Sequence, residues 1–99
     1  VELRSKTAVV SKLVADGCKV RFIYREQADN ANDSGWRVFR GIESQDYLDD
    51  PGNCVLLPLG LIVDRDPELE KVYEAPPGSA FERGGDDEPF AYVADFTPG

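Results

Sequence analysis

Histidine is missing from all 99 residues of this chain. Its absence removes the commonest general base and the commonest metal ligand, so serine- and cysteine-based triads lose their usual partner. Methionine is missing too, even at the first position, and the chain as given therefore reads as processed or trimmed. There is no run of about 18 apolar residues, and no charged-then-apolar leader ending in a small-residue cleavage site. Neither a membrane span nor a signal peptide is expected, and the expected location is cytoplasmic. No G-K-[ST] and no G-x-G-x-x-G occurs, which leaves phosphate cradling without support. Cysteine is scarce: Cys18 and Cys54 lie outside any C-x-x-C, each beside apolar residues. They read as buried, reduced thiols, with a single disulfide between them left open.

What is present suits one small domain covering residues 1–99. A second core would leave each half too small for burial to offset chain entropy. Apolar residues make up 41% of the chain and recur in short runs between turn residues, the pattern of a globular protein and not of a disordered one. The net charge of −8 argues against a nucleic-acid partner, because phosphate neutralisation needs a positive surface. Residues 1–40 hold eight Lys/Arg against five Asp/Glu, whereas residues 41–99 hold three against fourteen. That asymmetry suits attraction of a basic partner to the second half, although acids that merely solvate loops and helix starts would give the same count.

Patterning predicts an α+β fold: a small, mostly antiparallel sheet with two to four short helices packed on one face. Thr7–Val10 is a β-branched run that meets Ser11, a good N-cap, followed by a short helix over 12–16 closed by Gly17. Cys18–Tyr24 alternates, with Cys18, Val20, Phe22 and Tyr24 on one face. Glu26–Ser34 is polar and predicts a long loop, after which Gly35–Ile42 resumes alternation and completes a hairpin. Ser44 caps a helix through Tyr47 and Leu48, stopped by the turn Asp49–Asn53. Cys54–Leu57 is wholly apolar and reads as a central strand. Leu59–Val63 reads as a short turn or helix, and Asp66-Pro67 as the N-cap and first residue of a helix to about Tyr73. Ser79–Arg83 and Pro89–Asp95 read as a closing hairpin or a pair of edge strands.

Chemistry-bearing motifs are few. Asn30-x-Asn32-x-Ser34-Gly35 has the alternate oxygens of a calcium loop, but its twelfth position is Gly41 where a bidentate glutamate belongs. A loop of Asx turns is the plainer reading, and no metal or other cofactor is expected. Carboxylates over residues 26–50 leave an acid/base pair open in principle, yet loop and cap acids are ordinarily solvated; the chain is not expected to be an enzyme. The constellation with most content joins Tyr24, Arg25 and Glu26 at one end of the hairpin loop to Asp33, Trp36 and Arg37 at the other. Closing the hairpin would pair the arginines with Glu26 and Asp33 and offer Tyr24 and Trp36 as contact area, from residue types that dominate binding hot spots. The bland alternative makes Trp36 a core residue and the ion pairs mere staples of the loop.

Lys19-Val20, Phe22, Tyr24-Arg25-Glu26, Asp29-Asn30, Asp33-Ser34-Gly35-Trp36-Arg37, Phe39, Gly41, Glu43, Tyr47-Leu48-Asp49 and Asn53 together resemble the pattern of a bacterial family. It is the immunity protein thirty-three-like family, first catalogued as a domain of unknown function. Ser11-Lys12, Asp66-Pro67 and the run Pro77–Arg83 also fit, so the resemblance covers about residues 8–83, and the chain departs from the pattern around Val38 and over 56–60 while keeping residue character. The resemblance implies a protein partner, a cognate toxin from a polymorphic-toxin locus that the domain binds and neutralises. It carries over no binding residue. The alternative expectation is a housekeeping domain that binds a small molecule or is weakly catalytic, which a concavity lined by Arg25, Glu26 and Trp36 would favour.

Overall fold

The computed structural model describes residues 3–94. Among these, one mixed sheet contains β1 (Thr7–Ser11), β2 (Phe22–Arg25), β3 (Asp33–Phe39), β4 (Cys54–Pro58), β5 (Ala80–Glu82) and β6 (Ala91–Tyr92), in the spatial order β4-β1-β3-β2-β5-β6. β1 runs parallel to β3, and every other neighbouring pair is antiparallel. The helices are α1 (Lys12–Ala15), α2 (Gln45–Asp49) and α3 (Leu59–Arg65), with 3-10 turns at Leu3–Ser5, Pro51–Asn53 and Pro67–Lys71. This is the α+β class that the patterning predicts.

Both serine caps form. The Ser11 hydroxyl accepts from the Val14 N–H and the Ser44 hydroxyl from the Tyr47 N–H, each satisfying an otherwise orphaned donor of the first turn. Gly17, at φ +123°, ends α1 in a conformation that a side chain would resist.

The core lies between one sheet face and α1, α3 and the last 3-10 turn. Ala8 and Val10 of β1, Ile23 of β2, and Trp36 and Val38 of β3 pack against Val14 of α1, Leu59, Ile62 and Val63 of α3, and Leu69 of the last 3-10 turn. The Leu59 N–H donates to the carbonyl of Lys6, just ahead of β1, and so ties the start of α3 to the strand that pairs with β4.

Four sequence expectations shift. β2 begins at Phe22, not Cys18, and the residue it buries in the core is Ile23, so Phe22 and Tyr24 face the opposite side. β3 begins at Asp33, inside the stretch read as loop, and is buried along its whole length. Polarity misleads there because the fold supplies partners. Asp33 accepts from the Asp29 and Gly35 N–H groups, and the Ser34 hydroxyl from that of Trp36. β4, read as central, pairs with β1 alone and is an edge strand, with Leu56 66% exposed. An unbroken apolar run records high hydrophobicity but not how many neighbours a strand has, and Val55 and Leu57 alone reach the core. Asp66 occupies the N-cap position before Pro67 but makes no capping hydrogen bond, because its carboxylate is paired elsewhere. The closing hairpin is present as β5 and β6; Asp95, at the end of the second run, lies outside the described residues.

Candidate functional site

The β2–β3 hairpin organises the candidate site. Its register, Phe22↔Phe39, Ile23↔Val38, Tyr24↔Arg37 and Arg25↔Trp36, sorts four of the six expected binding residues onto two sides of the sheet. Arg25 and Trp36 go inward; Tyr24 and Arg37 go outward.

Trp36 is 1% exposed, and its indole Nε1–H donates to the Tyr73 carbonyl at 2.7 Å. Arg25 lies over that ring, 5.8 Å from its centroid, and donates to the carbonyls of Ser34 and Ala75. The expectation that Trp36 presents contact area and that Arg25 pairs with a loop acid is therefore corrected. Both side chains lock the hairpin onto the turn that precedes residue 76.

Arg37 takes both acids instead. It meets Asp33 in bidentate fashion, at 3.0 and 3.1 Å, and Glu26 at 2.8 Å, with Asp29 at 3.6 Å beyond. Burial alone would raise the Asp33 carboxyl, but the Arg37 hydrogen bonds and the two backbone N–H donors outweigh it and bring it down to about 2. Desolvation would likewise depress Arg37, yet its two carboxylate partners raise it above the ordinary arginine value. The loop closes over this cluster because residue 35 is glycine. At φ +86° a Cβ would stand 2.3 Å from the Glu26 carbonyl oxygen, a contact no side chain survives.

The outward face carries an aromatic cluster that sequence reading does not foresee as a unit. Tyr24 and Phe39 stack at 5.7 Å between centroids, and Phe22 stands 6.0 and 6.3 Å from them. After Phe39, Gly41 turns the chain at φ +99°, and α2 stands beside these rings. The result is a cleft of about 550 Å³ to which the sheet contributes Phe22, Tyr24 and Phe39, and the segment 40–48 contributes Ile42, Gln45 and Leu48. Ile42 is 75% exposed at its margin. Glu43 holds that segment down. Its two carboxylate oxygens accept the N–H groups of Arg40 and Gly41, and the Ser11 hydroxyl adds to them, so although burial would raise it the carboxyl is drawn below its usual value.

At the far side of the cleft Arg21 and Arg40 converge on Asp86, at 2.9 and 2.7 Å. Asp86 comes from the Gly84–Glu88 turn, so the link between β5 and β6 straps β2 and β3. A second buried pair lies beneath. Arg83, its side chain wholly buried, contacts Asp66 through its guanidinium, donates to the Val20 carbonyl at 2.8 Å and stacks on Phe90 at 4.4 Å. Sequence offered Asp66 only as a cap.

Among the described residues no group of three or more potential ligands could hold a metal ion, and no helix is long and apolar enough to cross a membrane. Within the loop once compared with a calcium site, Asn30 Oδ1 accepts the Asn32 N–H at 2.8 Å in an Asx turn. The profile of the immunity protein Imm33 domain matches residues 8–94. The chain belongs to this immunity protein family. The match runs from β1 through β6, so the hairpin, the cleft and the Asp86 strap are all inside the Imm33 domain. No curated protein and no solved structure matches the chain.

Proposed function

We propose that this Imm33 domain neutralises a cognate bacterial toxin by binding it through the outward face of the sheet. The observation that carries the reading is that helices α1 and α3 cover one face only, while the other leaves an aromatic cluster between the acids of the hairpin loop and those of α2 and its following turn. Apolar area flanked by an excess of acids over free cations suits a protein partner of opposite charge. Membership of an immunity family supports a toxin as that partner.

In this reading the six hairpin residues divide their labour. Tyr24 and Glu26 meet the partner. Arg25, Asp33, Trp36 and Arg37 hold the hairpin rigid so that no ordering cost falls on binding. The domain acts by occlusion and not by bond-breaking, in the cytoplasm where a toxin would otherwise act. The alternative of a small-molecule or catalytic domain draws less support, since Glu43, the most sheltered acid at the cleft, already accepts two backbone N–H groups.

The test is co-expression with the toxin domain encoded beside it, read by growth rescue and by a complex on size exclusion. Rescue with a stoichiometric complex is expected. Growth arrest with no complex removes the immunity reading.

A further inference from the structure

We infer that the cleft between the outward sheet face and α2 is the receptor for one large apolar side chain of the partner, carried on a segment rich in lysine or arginine. The inference rests on the binding reading above and specifies the chemistry of what is bound.

The cleft's size and lining set the first half of that statement. About 550 Å³ is within the range of pockets that receive a bulky group, and its sheet side is three mutually packed rings, Phe22, Tyr24 and Phe39. Ile42, 75% exposed, extends the apolar surface outward, where a protein side chain would cover it. An aromatic or long aliphatic anchor inserted there gains edge or face contacts from the rings and removes Ile42 from water.

Charge sets the second half. Around the hairpin loop, Glu26, Asp29 and Asp33 stand against Arg37 alone. On the other side, α2 and the turn after it add Asp46, Asp49 and Asp50, and Glu82 joins the lining from β5. Arg21, Arg40 and Arg83 are the cations of the lining; the first two are committed to Asp86 and the third to Asp66. A basic segment is therefore attracted to the cleft and an acidic one repelled.

Two peptide amides serve as probes: acetyl-Lys-Trp-Lys-amide and acetyl-Glu-Trp-Glu-amide, titrated into the whole chain and followed by amide chemical shifts. The basic probe is expected to saturate in the range of about a millimolar, with shifts centred on Phe22, Tyr24, Phe39 and Ile42, and to bind about fivefold more tightly than the acidic one. Glu82→Gln, at an exposed position, should narrow that preference. Ile42→Asp, also exposed, should weaken the toxin complex about tenfold or more, whereas Leu61→Asp on α3 should leave it unchanged. Absence of saturation, shifts centred elsewhere, or preference for the acidic probe would overturn the inference. A toxin complex indifferent to Ile42→Asp would also overturn it while the immunity reading stands. Saturable binding of the basic probe with no toxin complex would remove the immunity reading and leave the cleft a receptor for another basic segment.

Discussion

Replacing Asp33 by asparagine leaves the shape of β3 nearly unchanged and removes one negative charge from beside Arg37, both side chains being 7% exposed. The bidentate pair is lost, while Glu26 at 2.8 Å still meets the guanidinium. A broken buried pair commonly costs about 3–5 kcal/mol, and the surviving Glu26 contact puts this one at the lower end, about 3 kcal/mol at neutral pH. Its pH dependence is the sharper signature. Folding lowers the Asp33 carboxyl from 3.8 to about 2. The folded state thus holds this proton less readily than the unfolded chain, so the associated stability is complete above about pH 5 and drains away as pH falls toward 2. A shift of that size is worth about 2 kcal/mol. Urea unfolding of both proteins between pH 7 and pH 2 measures it. The stability gap between wild type and Asp33→Asn should be widest at neutral pH and shrink by about 2 kcal/mol on acidification. Two curves that stay parallel down to pH 2 would mean that the Arg37 cluster is not what fixes the hairpin.

Other perturbations test other parts. Gly35→Ala forces a Cβ against the Glu26 carbonyl and a positive φ onto alanine, and should cost about 2 kcal/mol or more in chemical denaturation. Arg83→Leu leaves Asp66 buried without its cation and should destabilise by about 3–5 kcal/mol, with Asp66→Asn/Arg83→Leu recovering part of the loss. Trp36→Phe deletes the bond to the Tyr73 carbonyl and should lower stability by about 1–3 kcal/mol without altering toxin affinity by more than the unfolded fraction explains. Cys18, exposed, should react with a disulfide reagent ahead of Cys54, whose thiol burial and Glu43 push up; equal rates would contradict that assignment.

The hairpin shows how far local pattern reaches. Alternation in Cys18–Tyr24 and in Gly35–Ile42 announced two strands, but alternation has two phases and sequence does not say which one meets the helices. With Trp36 and Tyr24 both aromatic and both flanked by arginine, either could have been the contact residue. Register decided it, by setting Trp36 beside Arg25 and Tyr24 beside Arg37. Asp66 and Arg83 carry the same lesson across 17 residues, since each looks like an ordinary surface charge until β5 lies next to β2.

Short-range physics was therefore legible in the chain itself: the serine caps, the glycine stops, the proline breaks, the α+β class and the lack of a histidine-based catalytic centre all follow from interactions spanning a few residues. Family membership was legible too, from the run through Trp36. Strand order, the edge position of β4, the burial of Trp36 and the aromatic cleft under Ile42 belong to the tertiary structure. They depend on which distant segments share a face of the sheet, and that is settled by the burial of the whole core at once.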